Sequence, residues 1–263
     1  MEDDVRTAHI AWSRHGGEPG MLLLHGFSDS GACWDPVLPG LTAYAGAVTL
    51  DARGHGSSGL PDGPTGTAAN AADAALVLDA LGAGPLVVIG HSMGALAAAA
   101  LAAARPDLVR ALVLEDPPGP HHTLAADGMP SWLAELQALD LAERIAKGRA
   151  DNPGWPDAEF EPWAVSKGEF DPRFYDLPYE TGPSLVDSLA GAACPTLLLY
   201  GEVARGGLLA PSDADDCADA AGGPFRAERV AHAGHCVRRD APAAFLAAIA
   251  RFLQHGVTQD LAG

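Results

Sequence analysis

The sequence predicts an α/β fold, a doubly wound and mostly parallel sheet with a helical cap inserted into it. Three observations predict this class. Short apolar runs alternate with helical patterns along most of the 263 residues. Those runs are apolar on both faces, as strands covered by helices on both sides must be. The alternation breaks only over residues 117–193, where prolines and aromatics gather. With 48% apolar residues the chain can bury a large core.

Residues 8–12 are expected to add an edge strand. Residues 21–25 (MLLLH), 47–51 (AVTLD), 86–90 (LVVIG), 111–115 (ALVLE) and 196–201 (TLLLYG) read as buried strands, and 225–231 as the last one. Helices are expected at 67–82, 93–104, 211–221 and 240–254. Residues 1–116 and 194–263 then form the core, and 117–193 the cap, with helical patches such as 131–147. The cap stretch carries eight of the sixteen aromatic residues in under a third of the chain. Aromatics at that density glue the insertion down and line an apolar pocket. There is no internal repeat and no low-complexity linker.

The formal charge is −18, from 34 acidic against 16 basic residues, and only Lys147 and Lys167 are lysines. Such a surface repels nucleic acid and anionic membranes and argues against a highly anionic substrate. A small-molecule substrate is the expected partner; oligomeric state is left open. No run of eighteen apolar residues is present to span a bilayer. The start, Met1-Glu2-Asp3-Asp4, lacks the basic and apolar segments of a signal peptide. Cys33, Cys194, Cys217 and Cys236 are widely spaced, which fits a reduced cytoplasmic protein without disulfides or a thiolate zinc site. His121-His122 has no third ligand at a metal-binding spacing, so neither metal nor cofactor is expected.

Gly90-His91-Ser92-Met93-Gly94 lies between an apolar strand and an alanine-rich helix. A serine pinned there sits on a sharp turn with its hydroxyl exposed, and the helix start aims free N–H groups and a positive dipole end at it. Serine needs a base to become a nucleophile. Ala233-Gly234-His235 comes after the last strand and puts His235 at the same sheet edge. The imidazole in turn needs a carboxylate. The aspartate spacing after the strand ending near 201 reaches Ala204, whereas Asp116 ends the strand beside the nucleophile's own. Asp116 is therefore assigned, with Glu115, Glu202 and Asp213 as weaker candidates. Met93 and Phe27 are the expected backbone donors to an oxyanion. His25, Gly26, Trp132 and Trp163 are the expected substrate contacts. In Asp51-Ala52-Arg53-Gly54-His55-Gly56-Ser57 a phosphate cradle is conceivable, but no P-loop lysine accompanies it, and Asp51 and Arg53 read as loop braces.

His25-Gly26-Phe27, Asp51-Ala52-Arg53-Gly54-His55-Gly56, Gly90-His91-Ser92-Met93-Gly94, Gly201-Glu202 and Gly234-His235 together resemble the serine-nucleophile α/β-hydrolase superfamily over about residues 21–253. The resemblance implies a Ser-His-Asp triad, an oxyanion hole at Phe27 and Met93, and a helical cap after the sixth strand. Two departures stand out: the acid that members commonly carry after the later strand is absent, and Ala95 replaces a frequent second glycine. Relatives with an aspartate at the position of Ser92 are dehalogenases and epoxide hydrolases, so the resemblance implies neither. It implies a carboxylic-ester hydrolase acting on a small to medium, largely apolar substrate. C–C bond hydrolysis, lactone opening and non-catalytic ligand binding on the same scaffold remain as alternatives.

Overall fold

A computed structural model describes residues 5–120 and 128–255. Its ten strands are β1 (Val5–Thr7), β2 (Ile10–His15), β3 (Pro19–Leu24), β4 (Gly46–Leu50), β5 (Thr65–Gly66), β6 (Leu86–His91), β7 (Val109–Glu115), β8 (Tyr179–Glu180), β9 (Thr196–Tyr200) and β10 (Phe225–Arg229). The helices are α1 (Leu38–Thr42), α2 (Thr67–Leu81), α3 (Met93–Ala104), α4 (Ser131–Ala138), α5 (Leu141–Asp151), α6 (Phe160–Glu169), α7 (Leu185–Gly191), α8 (Pro211–Ala220), α9 (Val237–Asp240) and α10 (Pro242–His255). Eight strands form one sheet in the order β1-β2-β4-β3-β6-β7-β9-β10, and β5 and β8 form a small second one. From β4 to β10 every pairing is parallel; β1 and β2 join antiparallel.

The apolar strands sort their side chains by the two-residue period of a strand. Leu22, Leu24, Val88, Leu112, Leu114 and Leu198 face one core, with α2, α3 and α7. Met21, Leu23, Ile89, Val113, Leu197 and Leu199 face the other, with α1 and α10. In α3, residues 93–102 are all buried, and its alanines let it lie close over the sheet. Among the described residues no helix is long and apolar enough to cross a membrane.

Three local expectations change. The strand expected at 8–12 is β2, an inner strand; β1 takes the edge, and Ala8 at φ +54° turns the chain between them. The helix expected at 240–254 is α10, which starts at Pro242 and is preceded by the separate short α9, because Pro242 disfavours helical backbone at Ala241, which has φ −143°. The 131–147 patch divides because Asp140 caps α5, accepting the N–H of Glu143 at 2.9 Å. Within the expected cap range 117–193, Leu185 and Leu189 of α7 pack in the same core as the strands. His121 and His122 lie outside the described residues.

Register positions the site. Leu24 pairs with Gly90, His91 with Glu115, and Glu115 with Leu199. The chain therefore leaves β3, β6, β7 and β9 at one level on one edge, the carboxyl edge where such sheets bind ligands.

Candidate active site

Ser92 sits between β6 and α3 at φ +52° and ψ −115°, a backbone conformation that a residue with a side chain holds only under constraint. Its N–H donates to the Glu115 carbonyl at 2.9 Å, which pins the elbow to β7. Close approach explains the glycine at 94, since a Cβ there would lie 2.2 Å from the Leu24 carbonyl oxygen. Met93 opens α3, so its N–H has no intrahelical acceptor.

His235 lies on the loop between β10 and α9. Its Nδ1 is 2.7 Å from Asp116 Oδ2, the pair the sequence reading expects. A carboxylate only accepts, so Nδ1 carries the proton and Nε2 is left with its lone pair. Asp116 is fully buried at φ +40°. Backbone N–H groups of Gly201 and Leu208 donate to its two oxygens at 3.2 and 2.9 Å. The weaker candidates are engaged elsewhere. Glu115 pairs with Arg238 at 3.0 Å, Glu202 accepts the N–H of His232 at 3.2 Å, and Asp213 caps α8 by accepting the N–H of Ala210 at 2.8 Å.

His91 joins the His235 loop to the elbow. Its Nε2 is 3.2 Å from the His235 carbonyl oxygen, and the two rings lie 4.7 Å apart. Burial first, then Arg238 and His235, hold the His91 pKa well below its ordinary value, so the ring stays neutral and donates from Nε2.

The loop after β3 carries Phe27 past the elbow. His25, an expected substrate contact, is buried and turned to backbone. Its Nε2 accepts the Ala52 N–H at 2.9 Å, so Nδ1 carries the proton and donates to the Gly26 carbonyl at 2.8 Å. With both nitrogens used and the ring buried, His25 braces this loop against the one after β4. Gly26 is a packing requirement: a Cβ there would lie 2.5 Å from His91 Nδ1 and 3.3 Å from Ser92 Cβ. Gly26→Ala is therefore expected to displace the elbow and lower kcat about 10- to 100-fold with the fold retained, a pattern read by steady-state kinetics beside a thermal melt. Unchanged kcat would show that the loop can yield.

Phe27 is the hub of an aromatic wall. Its ring meets Phe170 at 5.2 Å, His55 at 5.9 Å, and Trp132 and Tyr175 each at 6.3 Å. Trp132, 46% exposed, stays a candidate substrate contact at the outer side of this wall. Trp163, the other expected aromatic contact, packs in a separate cluster with Leu136, Ala164 and Trp155 that seats the insertion. His55, Phe170 and Phe174 join the wall without having been singled out as substrate contacts from sequence. Burial, then His25, lowers the His55 pKa to about 3, so its ring is neutral. Asp51 and Arg53 brace separately. Asp51 accepts the N–H groups of Gly31 and Ser57 at 2.7 and 2.8 Å, and Arg53 clamps Asp73 on α2 at 2.7 Å.

An eight-stranded sheet of this order, with these side chains on its carboxyl edge, is the plan of an α/β hydrolase. The chain belongs to the alpha/beta hydrolase family, whose profile matches residues 21–248. It is 30% identical over 258 residues to N-formylmaleamate deformylase of Pseudomonas putida, covering 92% of this chain and 91% of that protein. It is 36% identical over 157 residues to lipase LipV of Mycobacterium tuberculosis, 57% of either chain. The match covers 49% of the mouse sn-1-specific diacylglycerol lipase ABHD11, so the chain spans about half the length of these two lipases. The crystal structure of esterase Rv0045c from Mycobacterium tuberculosis superposes with a TM-score of 0.77 at 27% identity, covering 97% of this chain and 91% of that one.

Proposed function

We propose that the protein is a serine hydrolase that cleaves uncharged, largely apolar carboxylic esters of small to medium size through an acyl-enzyme. The observation that carries this reading is the 2.7 Å contact of His235 Nδ1 with Asp116 beside the elbow that bears Ser92. His235 Nε2 takes the Ser92 proton as Oγ attacks the acyl carbonyl. The N–H groups of Phe27 and Met93 receive the oxyanion. The intermediate collapses as His235 returns the proton to the departing alcohol. Water then gives a proton to His235 as it attacks the acyl carbon, and the second intermediate collapses as His235 passes that proton to the departing Ser92 Oγ, releasing the carboxylic acid. Asp116 remains ionised and orients the ring throughout. No cofactor enters these steps.

Two features support an uncharged substrate. The wall around Phe27 is aromatic. The buried cations Lys167, Arg238 and Arg239 are all spent on buried carboxylates. A dicarboxylate amide, the type of substrate that the deformylase's name describes, needs cations that are not already paired. The charge of −18 supports the same preference, and four free thiols support a reducing, cytoplasmic setting. Substrate contact is proposed for Trp132, at the cap side of the wall.

A fluorophosphonate probe followed by peptide mass analysis tests the nucleophile, and turnover of p-nitrophenyl butyrate against lactones, dienoic ketones and N-formyl dicarboxylates tests the substrate. Labelling at Ser92 with fastest turnover of the neutral ester is expected. A folded protein that is neither labelled nor active would leave a binding role; faster cleavage of another class would replace the ester.

A further inference from the structure

Lys167, one of only two lysines in the chain, is 3% exposed on α6. A buried ammonium is costly unless it is paired and hydrogen-bonded. Its Nζ donates to the Ser28 carbonyl at 3.0 Å and to Asp29 Oδ1 at 2.6 Å, with the Trp163 ring 5.6 Å away. Ser28 and Asp29 come directly after Phe27. Ser28 stands at φ +60°, in the left-handed region, where a side chain is strained unless its surroundings impose it. The Asp29 N–H closes the turn onto the Gly26 carbonyl at 3.1 Å. The loop that presents the Phe27 N–H is thus strained, and from the cap side Lys167 hydrogen-bonds its backbone and its aspartate.

Asp29 is also held from the other side. Its Oδ2 accepts from Arg238 at 3.1 Å and from Arg239 at 3.0 Å, just after His235 in the chain. Those arginines continue to Glu115 at 3.0 Å and Glu159 at 3.1 Å. Three carboxylates and three cations are therefore buried together. Without Lys167 the group would carry an uncompensated negative charge two residues from an oxyanion donor, in a site where screening is weak.

We propose that Lys167 is a positioning residue for the oxyanion hole: it fixes the Ser28 carbonyl and neutralises Asp29, so that the Phe27 N–H meets the developing oxyanion. This rests on the ester-hydrolase reading above. Lys167 touches no reacting atom; it acts on the tetrahedral state through the loop, so its loss appears in kcat and not in substrate binding.

The test compares wild type with Lys167→Met, Lys167→Gln and Lys167→Arg, each checked for folding by a thermal melt. Kinetics on a p-nitrophenyl ester are paired with inhibition by phenylboronic acid, which mimics the anionic tetrahedral state. In Lys167→Met, kcat is expected to fall about 10- to 100-fold with KM within about threefold, less than the loss of a whole oxyanion donor. Inhibition by the boronic acid should weaken by the same factor, and Lys167→Arg should recover most of both. Should the methionine variant fail to fold, Lys167→Gln, an uncharged polar side chain one bond shorter, is read in the same way. A folded variant that keeps wild-type kcat, or loses kcat without losing boronic acid affinity, overturns the role of Lys167. A wild-type protein that neither hydrolyses esters nor labels at Ser92 overturns the ester-hydrolase reading, and the role of Lys167 with it.

Discussion

Asp116→Asn is expected to lower kcat for an ester about 10⁴-fold, against about 10⁶-fold for Ser92→Ala, the magnitudes seen when such triads lose their acid or nucleophile. The reason is a proton on the wrong nitrogen. In the native site Oδ2 accepts both the Leu208 N–H and His235 Nδ1–H, while Oδ1 accepts the Gly201 N–H. An asparagine keeps an acceptor on one side and places an amide donor on the other. With the amide toward His235, the ring accepts at Nδ1 and carries its proton on Nε2, where it can no longer take one from Ser92. Substrate binding does not depend on that proton, so KM should change little. Asp213→Asn and Glu202→Gln, whose carboxylates serve a helix cap and a loop N–H, should keep kcat within about threefold. Steady-state kinetics with the fluorophosphonate labelling rate measures all four variants. Full activity in Asp116→Asn would move the acid elsewhere.

The parts of this site that were legible in the sequence share a physical cause. Strands buried on both faces must be apolar throughout, so β3, β6, β7 and β9 stand out as runs, and the loop residues after each run land on one edge. That places Ser92, Asp116 and His235 together without knowledge of side-chain contacts. Ala204 sharpened the choice of acid, because it occupies a position where a carboxylate was expected. Residue type alone says less about direction. His25 and Trp163 are the right kinds of residue in the right segments, but one uses both nitrogens on backbone and the other seats the insertion. Nothing in local periodicity tells which face of α6 looks toward Phe27. The buried ion group was least legible, since Asp29 finds its partners 138, 209 and 210 residues away. Its one sequence signal was the scarcity of lysine.

Arg238→Met is expected to cost about 3–5 kcal/mol of folding stability at neutral pH, a large share of the 5–15 kcal/mol typical of a domain. Arg238 is fully buried. Its backbone N–H and guanidinium reach the two oxygens of Glu115 at 2.7 and 3.0 Å, and the guanidinium also serves Asp29 and lies 4.5 Å over the Trp34 ring. A methionine fills similar space but leaves the buried Glu115 without its cation and Asp29 with Lys167 and Arg239 alone. Arg251→Met, which breaks a surface pair with Glu228, should cost at most about 1 kcal/mol. The cost in Arg238→Met should also depend on pH, with a sign set by both carboxylates. Burial already raises the pKa of Glu115 against the pull of Arg238, and without that pull it rises further. A carboxyl raised in the folded state costs stability only once pH exceeds its unfolded value, about 4.3. Asp29 contributes in the opposite sense. Burial opposes its charge, but Arg239, Lys167 and Arg238 outweigh burial and hold it well below the usual range. Its stabilisation is complete above the unfolded value of about 3.9 and is lost as pH falls through the folded one. Removing Arg238 shrinks that contribution at neutral pH and leaves it unchanged where both states are protonated. Both groups therefore make the gap between wild type and variant widest near neutrality and narrower as pH falls toward about 4. Denaturant titrations at several pH values measure that gap; a deficit under about 1 kcal/mol at pH 7, or one that grows on acidification, would show that the buried charges are not held by Arg238.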